Sequence, residues 1–152
     1  MTRAPSSRLA VPAARGFTLI ELMVAVAAVA VLAAIALPSF LEQFARARRS
    51  NMQAALLEDA GYMQHYYASH NAFSGTPAPQ LPFAQSPRDG SSSYAIAVSV
   101  PASDPASFVL TATRTGAMAA DTCGDFTYDN LGRRDLVAGT ASHGRNAASC
   151  WR

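Results

Sequence analysis

The sequence has no lysine, and its 152 residues include only two cysteines. All twelve basic residues are therefore arginines, against ten acids, for a formal net charge of +2. Three of these arginines, Arg3, Arg8 and Arg15, precede residue 17, so the remainder of the chain carries nine arginines against the ten acids, a balance of −1. A balance this close to neutral gives no general argument for a nucleic-acid partner.

Motifs that carry catalysis or bind a metal are also missing. The three histidines are His65, His70 and His143, and the first two are five residues apart, which places them poorly on one helix face. The chain has no nucleophile elbow and no phosphate-binding loop, and its cysteines lack the spacing of a metal site. We expect no enzyme, no cofactor and no metal. The length allows one modest soluble domain beside a membrane helix.

A long apolar run begins at Gly16 and ends at Leu37, with Glu21 as its only charge. As a helix, the 21 residues from Phe17 to Leu37 would be roughly 31 Å long, which matches the hydrocarbon core of a bilayer. The run therefore predicts a membrane helix. The basic residues in front of it favour a cytoplasmic N-terminus, which would place the chain after about residue 41 outside the cytoplasm.

The helical pattern continues beyond Pro38, where we expect a kink because proline removes a backbone hydrogen bond. Large apolar residues recur at mostly three- and four-residue steps as far as about Ala68, while polar residues fill much of the other face. That polar set is Glu42, Arg46, Arg49, Gln53 and Glu58. The sequence predicts a single helix of roughly 50 residues, apolar over 17–41 and amphipathic over 42–70.

The remainder of the chain predicts a long loop and then strands. Residues 71–93 are rich in proline, glycine and serine, which is typical of a connecting loop. The predicted strands are Tyr94–Val100, Phe108–Thr113, Phe126–Tyr128 and Leu136–Val137. We therefore expect an α+β fold, in which the long helix packs on a small antiparallel sheet of three to four strands over residues 94–152.

Cys123 and Cys150 are the only cysteines. In a domain outside the cytoplasm, an even number of cysteines favours a disulfide bond, which would tie down the irregular C-terminal segment. Two separate free thiols are the alternative.

The segment Gly16-Phe17-Thr18-Leu19-Ile20-Glu21 resembles the processing site of type IV prepilins and the related pseudopilins. The resemblance implies that a prepilin peptidase removes the leader, residues 1–16, and methylates the new N-terminus at Phe17. It also implies the ladle-shaped pilin fold and a single-pass protein of the inner membrane with its C-terminal domain in the periplasm. An inner-membrane assembly platform would then move residues 17–41 into the core of an extracellular pilus filament, among other pilin subunits.

Glu21 needs a partner, because a carboxylate inside a membrane segment is costly. Cleavage after Gly16 would create one, the amine of Phe17. We expect Glu21 to pair with the Phe17 amine of a neighbouring subunit, and the resemblance implies the same role in assembly. A pair within one chain is the alternative, because residues four apart on a helix can reach each other.

The segment from Phe126 to Arg134, together with Cys150-Trp151, resembles minor pilins of the PilE kind. We therefore expect a structural subunit of a type IV pilus, and a minor pilin. A type II secretion pseudopilin shares the processing site, but several of those carry a calcium loop or lack a late disulfide.

A DNA-binding minor pilin for uptake is the runner-up to a purely structural subunit. Four arginines surround Trp151 in the sequence and could contact phosphates while the aromatic ring contacts a base. They are Arg133, Arg134, Arg145 and Arg152. Four aspartates lie in the same region, Asp121, Asp125, Asp129 and Asp135. A solvated loop without a nucleic-acid partner is therefore the alternative for this segment.

Overall fold

The computed structural model of the protein describes residues 16–76 and 78–151, and for Pro38 the backbone alone. Most of the predicted leader and Arg152 lie outside these residues. The regular elements are α1 (Leu19–His70), β1 (Gln85–Ser86), β2 (Tyr94–Ser99), β3 (Val109–Arg114), a 3₁₀ turn (Gly116–Met118), β4 (Phe126–Asp129), β5 (Arg134–Leu136) and α2 (Ala147–Cys150). The chain divides into two compact units, one ending at Ser39 and the other beginning at Phe40.

From residue 19 to residue 39, the first unit is the N-terminal part of α1. Thr18 caps this helix, because its hydroxyl accepts a hydrogen bond from the N–H of Glu21 at 3.3 Å. The large apolar side chains are exposed all round, from 58% at Leu37 to 84% at Phe17. By length and composition, α1 could span a membrane, since its most apolar window has a mean hydropathy of 2.7 and is not buried. The helix is assigned without a break across Pro38, and the kink there stays a prediction.

The second unit has its core between the rest of α1 and the sheet. Met52, Leu56 and Met63 follow one stripe of the helix and are fully buried. The sheet residues in the same core are Tyr94, Ile96, Phe108, Leu110, Ala112 and Phe126. The amphipathic half of the predicted helix thus buries its apolar stripe against the strands.

The sheet is antiparallel throughout, with the strands in the order β1-β2-β3-β4-β5. Along β2, Tyr94 and Ile96 are buried while Ala95 and Ala97 are exposed, which is the alternation of a sheet covered on one face. The predicted α+β class, a long helix on a small antiparallel sheet, is confirmed. The sheet has five strands, because a two-residue strand, Gln85–Ser86, forms inside the segment predicted as a loop and pairs with Tyr94 and Ala95.

Two charged residues of α1 lie on its buried face. Arg49, which the sequence places on the polar side, is only 5% exposed, and Asp59 is fully buried. The placement of Arg49 on the polar face was wrong, because Arg49 is four residues after Ala45 and three before Met52, in line with the buried stripe. Its charge is matched by Asp121, whose carboxylate it contacts through two nitrogens.

Candidate functional site

The predicted processing site lies at the start of α1. Gly16 and Phe17 precede the first helical residue, Leu19, and the Phe17 side chain is 84% exposed. Glu21 lies in the first turn, where the helix dipole favours a negative charge. In the uncut chain the Phe17 nitrogen belongs to a peptide bond and carries no charge. An ion pair between it and Glu21 therefore requires cleavage first.

The C-terminal segment is fixed by a disulfide bond between Cys123 and Cys150, whose Cα atoms are 5.8 Å apart. Both residues are buried in the core. Cys150 ends the short helix α2, which begins with a capping box between Asn146 and Ser149. Gln53 of α1 donates a hydrogen bond to the carbonyl of Cys150 at 3.0 Å. The disulfide and this hydrogen bond tie the C-terminal segment to the loop before β4 and to the long helix.

Trp151 is held beside the sheet edge. Its indole N–H donates to the carbonyl of Asp135 at 2.9 Å, and its ring meets the edge of the Phe126 ring at a centroid distance of 5.4 Å. The guanidinium of Arg134 lies 5.8 Å from the Trp151 ring centroid, within cation–π range. A half-exposed aromatic ring is thus presented together with an exposed arginine.

Arg133 lies on the turn between β4 and β5, next to Asp129. The Asp129 carboxylate accepts hydrogen bonds from the backbone N–H groups of Leu131 and Arg133, each at 2.9 Å, and from the Arg133 guanidinium. Burial works to raise the pKa of Asp129, but the hydrogen bonds from Arg133 outweigh it and hold this pKa below its usual range. The Arg133 side chain remains 75% exposed, although Asp129 offsets its charge.

Arg145 makes a different contact from the other arginines of this segment. Its guanidinium lies 3.6 Å from a carboxylate oxygen of Glu42, on α1. The three described arginines therefore do not converge on one contact, as the sequence suggested: Arg134 lies over Trp151, Arg133 beside Asp129, and Arg145 beside Glu42. The prediction missed this because Arg133 and Arg134 lie at the β4–β5 turn and the start of β5, whereas Arg145 lies in the irregular segment before α2, and residues of different segments need not face the same way.

The histidines lie at exposed positions. His70 stacks on Tyr66 at the end of α1, with ring centroids 4.1 Å apart, and His143 contacts the hydroxyl of Ser142. Within residues 16–76 and 78–151, no group of three or more His, Cys, Asp or Glu residues could hold a metal ion.

A segment like a prepilin processing site leads into an exposed apolar helix. A unit of helix and sheet closed by a disulfide bond follows. Together these features define a pilin-like protein. Residues 38–127, more than half of the chain, match the family described as "Type IV minor pilin ComP, DNA uptake sequence receptor". The chain belongs to this family of type IV minor pilins. Residues 12–37 also match the "Prokaryotic N-terminal methylation motif", a range that includes Gly16, Phe17 and Glu21.

Several curated pilins are similar to part of this chain. A "Fimbrial protein" of Neisseria meningitidis serogroup B is 43% identical over 63 residues, which are 40% of this chain and 36% of that protein. The "Type IV major pilin protein PilA" of Myxococcus xanthus is 51% identical over 45 residues, 30% of this chain and 20% of its own. PilE1 of Neisseria gonorrhoeae, also described as a major pilin, is 45% identical over 58 residues, which are 37% of this chain and 34% of that protein. The chain thus spans about a third or less of these relatives.

Among solved structures, a type IV pilin from Shewanella oneidensis is 24% identical; the match covers 64% of this chain and 98% of that one, with a TM-score of 0.45.

The prediction of a type IV pilus subunit is confirmed by the family match. Because that match ends at residue 127, the arginines around Trp151 lie beyond it.

Proposed function

We propose that this pilin is held in the inner membrane by residues 17–41, with its second unit in the periplasm, until an assembly platform transfers it into a pilus filament. The observation that carries the proposal is the exposed apolar surface of the first unit, where the large apolar side chains from Phe17 to Leu37 are 58–84% exposed. Such a surface is stable only in lipid or against other apolar helices. The same helix would serve as the membrane anchor and later as part of the filament core.

Processing at Gly16 and Phe17 is the first step of this proposal. The basic leader would stay in the cytoplasm, and a prepilin peptidase would cut after Gly16 and methylate Phe17. The match of residues 12–37 to the methylation motif supports this step. Cleavage removes three arginines and creates a charged amine four residues before Glu21.

The second step is the pairing of Glu21 with the Phe17 amine of a neighbouring subunit. In a bundle of apolar helices without water, each of these charges alone would be costly, and together they neutralise each other. The pair would also fix how far one helix is displaced along the next. A pair within the same chain is the competing arrangement, and it would add no preference for any position in the filament.

The test is to replace Glu21 with Gln and to measure the amount of the chain in membranes and in sheared filaments. Glu58→Gln, which removes an exposed carboxylate of the second unit, is the matched control. We expect both variants to insert into the membrane, and only Glu21→Gln to be depleted from filaments. Normal incorporation of Glu21→Gln would overturn the pairing between subunits.

DNA binding is a second candidate function, which the description of the family favours. The geometry in support is the Arg134 guanidinium over the Trp151 ring, and the preceding residue in the chain, Arg133, has an exposed side chain. Arginines of this kind could contact phosphates, and a half-exposed indole offers a surface for stacking an unpaired base. Arg145, beside Glu42, would not contribute to this surface.

Retention of DNA by the full chain in detergent tests this second function. We expect binding at low salt that weakens as salt is added, and a shallower dependence on salt for Arg133→Gln and Arg134→Gln. Arg88→Gln, which removes an exposed arginine that lies over Phe83, is the control. A chain that retains no DNA even at low salt would refute DNA binding and leave the pilus role untouched.

No catalytic role is part of the proposal. The chain's family is one of structural pilus proteins, and its proposed work is assembly and binding.

A further inference from the structure

A recess of about 320 Å³ lies in the second unit, between the first turns of its part of α1 and the C-terminal segment. Four charged residues line it: Glu42, Arg46 and Arg49 from α1, and Arg145 from the segment before α2. Glu42, Arg46 and Arg49 follow one another at steps of four and three residues, so they share a face of the helix. Neither the pilus role nor the proposed DNA surface uses this recess, which we call the arginine recess.

The three guanidinium groups converge on a single atom. Glu42 Oε1 lies 3.4 Å from Arg46 Nε, 3.4 Å from Arg49 Nη1 and 3.6 Å from Arg145 Nη2. A close charged hydrogen bond of this type measures about 2.7–2.9 Å, so one carboxylate oxygen is shared too widely to satisfy three cations. Arg49 is also paired with Asp121. Among the described residues, Arg46 and Arg145 have no other acidic partner.

The arginine recess therefore holds a surplus of positive charge. Arg46, Arg49 and Arg145 face two carboxylates, those of Glu42 and Asp121, which leaves one positive charge unmatched. The side chains of Arg46 and Arg145 are 69% and 35% exposed, so an anion from outside can reach them. A phosphodiester carries one negative charge and presents two oxygens, which suits the planar fork of arginine.

The position of the recess along the chain indicates the source of that phosphate. Glu42 directly follows the apolar residues 17–41, and Arg46, four positions after Glu42, lies about 6 Å further along the helix. The headgroup layer on each side of a bilayer is roughly this thick. In a subunit held in the membrane, Arg46 would thus lie at the depth of the lipid phosphates. Basic residues just outside a membrane helix attract anionic lipids.

We propose that the arginine recess binds the phosphate of an anionic phospholipid headgroup while the subunit is in the membrane. This inference rests on the proposed membrane-held stage. Arg46 and Arg145 contact the phosphate, and Glu42 competes with it for the same guanidinium groups. When the subunit leaves the bilayer, Glu42 remains as the internal counter-ion, so that the arginines are not left without any negative partner.

The experiment uses the full chain in detergent micelles that contain phosphatidylglycerol or, separately, phosphatidylcholine. Native mass spectrometry then measures the lipid that stays bound. We expect retention of phosphatidylglycerol over phosphatidylcholine, roughly tenfold weaker retention for Arg46→Gln with Arg145→Gln, and stronger retention for Glu42→Gln, since removing the competing carboxylate frees the arginines. Arg88→Gln is the matched control and should behave like the unmodified chain. Thermal unfolding verifies that each variant is folded.

Three outcomes would overturn the lipid assignment. One is equal retention of the two lipids, and another is unchanged retention in the double arginine variant. The third is that inorganic phosphate or a short DNA duplex binds at these arginines and that added phosphatidylglycerol does not displace it. A separate experiment tests the membrane-held stage on which this inference rests: membranes that contain the unmodified chain are washed with alkali. If the wash removes the chain, the proposed membrane-held stage is wrong, whatever the lipid result in micelles.

Discussion

Arg49 of α1 and Asp121, 72 residues further along the chain, form a buried ion pair with two hydrogen bonds. Their side chains are only 6% and 4% exposed. The hydroxyl of Tyr94 donates a further hydrogen bond to the Asp121 carboxylate at 3.1 Å. Burial works to raise the pKa of Asp121, but the guanidinium of Arg49 and this hydroxyl outweigh it and hold the pKa below its usual range. The pair joins the helix, the sheet and the loop before Cys123.

We expect Arg49→Met to destabilise the second unit by about 3–5 kcal/mol, because it leaves the Asp121 carboxylate buried without a cation. Urea unfolding of the full chain in detergent, followed by the fluorescence of Trp151, measures the loss. Arg46→Met is the control, since that side chain is 69% exposed and should cost less than about 0.5 kcal/mol. Equal stability of the two variants would mean that the buried pair contributes nothing.

Asp59 is a buried acid without such a cation. Its Oδ1 accepts a hydrogen bond from the N–H of Phe83 at 2.9 Å, while its Oδ2 has no hydrogen-bond partner among the described residues. Burial raises the pKa of Asp59 to about 6, with the nearby charge of Glu58 adding to the shift and the hydrogen bond from Phe83 and the charge of Arg88 opposing it. The folded chain therefore keeps this proton in a pH range where the unfolded chain has lost it.

The stability contributed by Asp59 should fall as the pH rises from about 4 to 6, because the unfolded state binds fewer protons over that window. Asp59→Asn removes the buried charge and should stabilise the protein above pH 6 by on the order of 2–3 kcal/mol, with little gain near pH 4. Urea unfolding at several pH values measures this. Asp89→Asn, at an exposed aspartate, should leave the pH dependence unchanged. A parallel shift of Asp59→Asn at all pH values would contradict the raised pKa.

The disulfide should carry a large part of the stability of this small unit. Cys123 and Cys150 are 27 residues apart, and in the chain-entropy model closing such a loop contributes about 3–4 kcal/mol. Replacing both cysteines with Ala should lower the free energy of unfolding by this amount, and reductant should do the same to the unmodified chain. An unfolding midpoint that is insensitive to reductant would contradict this prediction.

Gly124, which follows Cys123, is predicted to tolerate no side chain. Its φ is +80°, and an added Cβ would lie 2.6 Å from the backbone nitrogen of Ala141. Gly139 also has a positive φ, +78°, but has nothing within 4 Å of an added Cβ. Gly139→Ala should therefore cost about 1–2 kcal/mol for the backbone alone, and Gly124→Ala clearly more. Thermal unfolding compares them, and similar midpoints would show that the contact with Ala141 is easily relieved.

The helix and the central strands could be predicted because their patterns are local. The apolar stretch from Phe17 and the stripe through Met52, Leu56 and Met63 specify α1, and alternation specifies β2. The two-residue strand Gln85–Ser86 could not be predicted, because it owes its conformation to its partner Tyr94–Ala95 and has no pattern of its own.

The candidate sites were less predictable, because they depend on residues far apart in the chain. The Arg49–Asp121 pair and the contact between Arg145 and Glu42 each join segments that meet only in the folded unit. A signal for the first was present: Arg49 and Asp59 fall in the periodic positions of the buried stripe, where a charge indicates a buried partner. For Arg145 no comparable signal exists, since the sequence around it has no helical or strand period.

The most direct test of the account is the N-terminus of the chain recovered from sheared pilus filaments. Mass spectrometry should find a chain that begins at Phe17 with a methylated amine, since cleavage after Gly16 frees the amine that the proposed filament contact with Glu21 requires. A chain that still carries residues 1–16, or one that is present in membranes but absent from filaments, would contradict the account.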